Sequence, residues 1–440
     1  MNYKKAGAMK RLIIPIIVML IISFAGAEVQ SPEEPPDTLT LEESIGRALR
    51  ANLALSAARE DYNQSRYSLL GAWSNFLPTA STRFSWSKSG DETYSLGETG
   101  VNVSDEHYST GFSASQTLFS GGKSYLELRR SIHSRNAAQR DFADRRAEVV
   151  LMIKEAYYAA IGAEQSAENA RDALERTSDQ MELVAQRDSL GMADPTEVSQ
   201  MKVRLLETEL TALQADNAQD RALENLMSLL SYPFTAQVEL VDPGEEVPGG
   251  NSLEFYLSRI DESSAVKSAE LAVRRAKLSE YYSWAGYLPG VSASYGYNWS
   301  GVELPEDLGA LDEESSWSVG ISANWTLFSG TSRISSIKSS SSAYRAAQIN
   351  LESVRRNLES NIRNKYRTLK EAEVRLRLAD VRLEDAALNS SLFREKYELG
   401  DCTLLELLQA ELSLREAEAE VVSARFDYNI AAAELARYIQ

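Results

Sequence analysis

The segment from Thr117 to Gly121, Thr-Leu-Phe-Ser-Gly, recurs from Thr326 to Gly330, 209 residues later. This self-similarity limits the possible folds more than any other feature of the chain. The same offset runs on without a gap to the C-terminus. It places Ala137-Ala138-Gln139 on Ala346-Ala347-Gln348, Tyr157 on Tyr366, Leu190-Gly191 on Leu399-Gly400, Glu197 on Glu406 and Gln200 on Gln409. Upstream the offset is 211, pairing Leu77-Pro78 with Leu288-Pro289 and Trp73 with Trp284. A single such match arises by chance; an ordered series does not. The chain is two copies of one unit, residues 39–231 and 253–440, joined by a Pro- and Gly-containing linker at 232–252.

Each copy shows the same order of elements. The first is an expected helix, 41–76 or 253–287, stopped at Leu-Pro because proline disfavours the helical conformation of the residue before it. Two strands follow. In the second copy Val291, Ala293, Tyr295, Tyr297 and Trp299 alternate with Ser292, Ser294, Gly296, Asn298 and Ser300. That is period two, with one apolar face and one small polar face. The strands are expected over about 79–88, 108–118, 290–300 and 316–327, with polar loops at Ser89–His107 and Gly301–Ser315. Long helices come last. Thr331 to Leu399 contains neither Gly nor Pro, enough for a helix of about 100 Å. Gly400 breaks it, and a return helix runs to the C-terminus with two leucine-rich stripes. The helical hairpins cover 121–231 and 331–440.

The first 27 residues stand apart. Lys4, Lys5, Lys10 and Arg11 precede the apolar run Leu12–Phe24, which is too short to span a bilayer comfortably. Ala25-Gly26-Ala27 supplies the small-residue pattern of a cleaved secretory signal. No cysteine follows, which speaks against a lipid-anchored start. Residues 28–38 read as an N-terminal extension rich in Pro and Glu. The net charge of −18 becomes about −22 once the four basic residues leave. That balance argues against a nucleic-acid partner, since phosphate binding needs clustered Lys and Arg. Cys402 is the one cysteine, so packing and assembly, not an internal disulfide, must hold the chain.

An apolar face backed by a Ser/Gly/Asn face suits a barrel wall with lipid outside and water inside. Trp86, Trp299, Trp317 and Trp325 are expected in the interfacial belts, and Tyr295 and Tyr297 toward lipid. One chain supplies four such strands. Four cannot close a barrel, and open edges are not tolerated in lipid. Two chains would give eight strands and a filled interior. Three would give twelve and a lumen, which the serine-rich face favours. A water-soluble sheet packed on helices is the alternative at this point.

Thr40-Leu41-Glu42-Glu43-Ser44-Ile45, the Leu-Pro before the strands, Thr-Leu-Phe-Ser-Gly after them, and Tyr397-Glu398-Leu399-Gly400 before a Leu-rich helix together resemble the TolC-like outer-membrane efflux proteins. The resemblance covers nearly all of 39–440. It implies an α+β membrane channel: a homotrimer with a twelve-stranded β-barrel in the outer membrane and an α-helical barrel in the periplasm. Its role would be the exit duct of a tripartite efflux or type I secretion system. Docking would occur through the helical tips, Leu190, Gly191, Leu399 and Gly400, to a periplasmic adaptor and an inner-membrane pump. The resemblance also implies a periplasmic gate at Glu197, Glu406, Gln200, Gln409 and Tyr397. Gln409 replaces a second acid, and Cys402 stands where the family can carry a basic residue.

Residue chemistry weighs the same sites more blandly. Every helical hairpin needs a turn, and Gly191 and Gly400 suit the left-handed conformation that ends a helix. An acid in the first turns of a helix stabilises its dipole by roughly half a kcal/mol. Rings of carboxylates in a trimer would instead attract cations and raise one another's pKa. No catalytic group, metal site or cofactor is expected. His107 and His133 fall on different elements, and Ser335-Ser336-Ile337-Lys338 lacks the partner motifs of penicillin-binding enzymes. The alternative function is a secreted structural coiled coil or periplasmic adaptor. An adaptor would need one helical hairpin with small β-domains, and a coiled coil would not need the aromatic strands.

Overall fold

The computed structural model describes residues 36–88, 95–96, 99–100, 106–190, 195–234, 238–244, 252–301 and 315–438. The signal at 1–27, most of the extension at 28–38, Gly191, and parts of the linker and of both strand loops lie outside the described residues.

In the first copy, β1 (Thr38–Leu39) is followed by α1 (Leu41–Ala51), α2 (Leu53–Ser74) and β2 (Thr79–Lys88). The two-residue pieces β3 (Ser95–Leu96) and β4 (Thr99–Gly100) lead into β5 (Glu106–Phe119), α3 (Lys123–Ser189) and α4 (Pro195–Leu230). The linker contains β6 (Glu239–Leu240). The second copy has α5 (Leu253–Ser258), a 3-10 turn at Ile260–Glu262, α6 (Ser264–Trp284), a second 3-10 turn at Ala285–Tyr287, and β7 (Gly290–Gly301). It ends with β8 (Ser315–Asn324), α7 (Ser332–Leu399) and α8 (Leu404–Ala436). Among the described residues no helix is long and apolar enough to cross a membrane.

The helix expected over 41–76 is two helices. Asn52 adopts an extended backbone, φ −65° and ψ 125°. Its side-chain oxygen accepts from the Ala54 and Leu55 amides at 3.0 and 3.2 Å. One residue therefore ends α1 and caps α2, because an asparagine offers the backbone a local alternative to the helical ladder. The helix expected over 253–287 is also divided. Ser263 caps α6 through the Val266 amide at 3.3 Å.

The strands form one antiparallel sheet in the order β2-β5-β7-β8. Cross-strand partners share a face, so register sorts every residue. Phe84, Phe112, Tyr295, Tyr297, Trp317 and Val319 share the apolar side. The other side carries a ladder of hydroxyl pairs: Ser81 with Ser113 at 2.8 Å, Ser85 with Ser109 at 2.6 Å, and Ser292 with Ser322 at 2.9 Å. The formal charge on this polar face, among the described strand residues, is Arg83. The apolar side carries charge at its strand end, in the Lys88–Glu106 ion pair; the mid-strand charge is Arg83, and an arginine in lipid costs about 2–4 kcal/mol at the midplane, so the serine side is the one facing water. Among the described residues, both outer strands, β2 and β8, have an unpaired edge.

Two aromatic expectations change. β8 ends at Asn324, which leaves Trp325 beyond the strand with its indole N–H donating to the Tyr287 carbonyl at 2.9 Å. Trp299 lies on the apolar side but is only 3% exposed, against 54% for Trp86 and 70% for Trp317. Its cross-strand partners are Thr110 and Ser315. Tyr295 is exposed and Tyr297 half-buried.

The long helices α3 and α7 run the height of the molecule, 67 and 68 residues. Isolated helices of such polar composition are not held by propensity alone; here short helices flank both. Near the sheet, α2, α3, α6 and α7 lie side by side; away from it the order is α4, α3, α8 and α7. The duplication is visible in the core. Ile153 and Ile362 are equivalent and both enclosed, as are Leu226 and Leu435. Each such side chain contributes about 2 kcal/mol.

The copies differ at Tyr157. β1 pairs in parallel with β6, tying the start of the chain to the linker. The Tyr157 hydroxyl lies 2.7 Å from the carbonyl oxygens of Leu39 and of Val241, its one proton shared between them. Burial pushes its pKa up to about 12, so it stays a donor. The equivalent Tyr366 packs on Tyr256, with ring centroids 6.4 Å apart. Tyr157→Phe should therefore weaken the two-strand clasp by about 1–2 kcal/mol, read from faster amide exchange at Glu239 and Val241. Tyr366→Phe should leave that exchange unchanged.

Candidate functional site

The far end of the helices is where the two hairpins turn. In the second copy the turn is short and fully specified. Gly400 takes φ 81°, a left-handed conformation that suits glycine. The Gly400 amide donates to the Tyr397 carbonyl at 3.1 Å and the Asp401 amide to that of Lys396 at 2.8 Å. This pairing closes the end of α7 in a Schellman motif. Three residues later α8 begins. The Thr403 amide and hydroxyl both donate to Glu406 Oε2 at 2.8 Å, and the Glu406 amide donates to Thr403 Oγ1 at 3.3 Å. This is a reciprocal capping box. Gln409 is exposed one turn on.

The first copy's turn includes Gly191, outside the described residues. α4 then opens on Pro195, a residue suited to the first helical position. Gln200 is exposed. Glu197 differs from its counterpart: its Oε2 is enclosed without a hydrogen-bond partner.

Both hairpins meet in one apolar cluster of Val184, Met201, Tyr397, Leu404 and Leu407. Tyr397 is 3% exposed, and its hydroxyl has no hydrogen-bond partner. The Arg187 guanidinium sits over its ring, 4.9 Å from the centroid. Burial raises the Tyr397 pKa, with Arg187 pulling the other way and Glu197 adding to the rise. Arg187, Glu197 and Tyr397 thus share one neighbourhood built from three helices. Cys402 donates to the Phe393 carbonyl at 3.4 Å. The turns also expose Leu190, Leu399 and Leu405, at 72%, 77% and 73%.

A polar seam above the tips joins the copies. Arg176 pairs with Glu418 at 3.2 Å. Gln180 donates to Glu411, which also accepts from Arg394 at 3.4 Å. Burial raises the Glu411 pKa. The sequence reading passed over Arg187, Arg176 and Glu411, because their partners come from helices more than 200 residues apart. No spacing along the chain sets them apart from the other charged residues of α3 and α8.

The capping box bears on the expected gate. The Thr403 amide, then its hydroxyl, holds the Glu406 carboxyl below the usual carboxylate range. Within the chain, Glu406 is committed to its turn and Glu197 is not.

Comparison with known proteins follows the same lines. Residues 44–231 and 258–439 match the family described as outer membrane efflux protein. The chain is 21% identical over 344 residues to the outer membrane protein TolC of Vibrio cholerae, covering 75% of this chain and 76% of that one. It is 23% identical over 341 residues to the alkaline protease secretion protein AprF of Pseudomonas aeruginosa, covering 76% and 69%. Its fold is similar to the outer membrane protein VceC of Vibrio cholerae, with a TM-score of 0.76, 16% identity, and 90% and 95% of the two chains covered.

The Glu406 pKa carries a sign. A folded-state pKa below the unfolded value stabilises the turn at pH above the ordinary carboxylate range, and that stability is lost as pH falls through the folded value. Amide protection at Thr403 and Glu406 should therefore drop on acidification. In Glu406→Ala it should be low at every pH, with the pH dependence gone.

Proposed function

Because this chain belongs to the outer membrane efflux protein family and is an outer-membrane exit duct, we propose that three copies share one barrel and carry solutes passively, without catalysis. The observation that carries this reading is the sheet itself. Its four strands present lipid-compatible side chains on one face and leave β2 and β8 unpaired at the edges. In lipid those edges need partners. A second and third copy supply them, β8 of one meeting β2 of the next, and twelve strands leave a lumen lined with serine. The side-by-side helices continue the same ring below the membrane, in the periplasm.

The helical tips are the end that meets other proteins. Leu190, Leu399 and Leu405 stay exposed where a tight turn has no need of apolar surface, which suits docking to a periplasmic adaptor that links the duct to an inner-membrane pump. AprF is by its name a secretion protein, and secretion and efflux both fit a passive duct.

The gate lies at the same end, and its two glutamates divide the work. Glu406 shapes the turn of the second hairpin. Glu197, with an enclosed oxygen that no donor satisfies, supplies the ring of three carboxylates at the constriction, beside Arg187 and Tyr397. Gln200 and Gln409 line it without charge.

Two measurements test this. The mature protein in mild detergent should have the mass of three chains; a monomer or dimer would sink the shared barrel. In a planar bilayer, divalent or trivalent cations added on the tip side should block the channel. Glu197→Gln should weaken that block, while Glu406→Gln, which can still cap the helix, should change it little. Equal effects of both would return the gate to a ring of six.

A further inference from the structure

The polar face of the sheet holds one feature that a plain water-filled wall does not need. Among the described strand residues that side is serine, threonine, glycine, asparagine, His107 and Arg83. Arg83 sits at mid-strand in β2, directly across from Gly111, and Gly111 is across from Asn298. Ser81–Ser113 and Ser85–Ser109 hydroxyl pairs bracket this row above and below. Arg83 makes no hydrogen bond or ion pair with any described residue. Gly111 is there for room: a Cβ would come within 2.5 Å of Asn298 Oδ1 and 3.2 Å of the Tyr297 carbonyl. The Asn298 amide occupies the room that glycine leaves, and beside it a depression of about 290 Å³ is lined by Arg83, Asn298 and the hydroxyls of Ser81, Ser109 and Ser113.

Closing the barrel does not neutralise the arginine. This step rests on the trimeric reading above. The strand that would meet β2 is β8 of the next copy, and its polar face carries Ser316, Ser318, Gly320, Ser322 and Asn324. None of these is a carboxylate. Among the described residues, a chain with net charge −18 thus keeps Arg83 unpaired on a wall of neutral side chains.

We propose that Arg83 and the depression over Gly111 form an oxyanion subsite in the barrel lumen, three per trimer, that binds the carboxylate or phosphate groups of solutes in transit. A guanidinium presents two parallel N–H groups to such an anion, and the neighbouring serine hydroxyls and the Asn298 amide supply further contacts. Three such groups around one ring also bias the lumen toward anions, most strongly at low salt, where the Debye length exceeds about 10 Å. The ring lies at the opposite end of the molecule from the Glu197 carboxylates, so solutes pass sites of opposite charge.

The test uses the full-length trimer in planar bilayers, with two readouts: the reversal potential across a KCl gradient, and block by citrate. Arg83→Gln should shift the permeability ratio several-fold toward cations and abolish citrate block. Arg83→Lys keeps the charge but loses the two-pronged donor. It should hold the reversal potential near that of the wild type and weaken citrate block several-fold. The subsite is overturned if Arg83→Gln leaves both readouts unmoved in a conducting trimer, and equally if Arg83→Lys keeps the citrate block in full. In both cases the duct reading stands. If the wild-type trimer passes no current, the duct reading fails and the subsite with it. Trimer mass in detergent, measured for each variant, separates altered permeation from failed assembly.

Discussion

A sheet edge in hydrocarbon has nowhere to send its backbone hydrogen bonds, and that constraint organises everything else in this protein. The sheet β2-β5-β7-β8 has a mostly apolar outer face and, among the described residues, two open edges. The chain therefore requires copies of itself, and each copy must deliver its strands at the same height and tilt. The long helices do this. They emerge from the sheet, pack side by side with their shorter neighbours, and lock both halves of the duplicated chain through contacts such as Ser268–Asp141 at 2.9 Å and Arg437–Asp144 at 3.1 Å. The helical layer is continuous with the sheet, so one ring of contacts sets the geometry of both.

Much of this was legible in the residues. Alternation with period two is unambiguous over Val291–Trp299, and the Gly- and Pro-free run after Thr331 admits little except helix. The repeat doubled the weight of each signal, so the weaker strands of the first copy could be read through the second. What escaped was local or distant. Asn52 ends one helix and starts another through its own side chain, inside a segment whose apolar spacing continues undisturbed. β1 and β6 are two residues each, too short to have a period. Trp325 continues the alternation of β8 but lies past its end. The Arg176–Glu418 and Gln180–Glu411 contacts depend on which helices of the two copies touch, and no spacing along the chain encodes that.

Duplication also permitted divergence at equivalent positions. Tyr157 clasps the linker, whereas Tyr366 packs at a tilt on Tyr256. Glu406 has become a structural cap with a lowered pKa, whereas Glu197 keeps an unsatisfied oxygen next to Tyr397. A sequence superposition shows pairs of identical residues at these points. The hydrogen bonds show different employments, and they were not accessible until the neighbours were known. Identity across an internal repeat is thus evidence for a shared fold and weaker evidence for a shared role.

The serine ladder has a consequence best put in the language of flow. Away from Arg83 the lining is neutral: hydroxyls at 2.6–2.9 Å from one another commit one bond to a neighbour and offer the rest to water. A molecule sliding along such a lining meets groups that wet it but hardly grip it. Adhesion is low, dwell times are short, and resistance is set by width more than by stickiness. For a conduit that performs no work of its own, a wall that lets go is as necessary as a wall that closes.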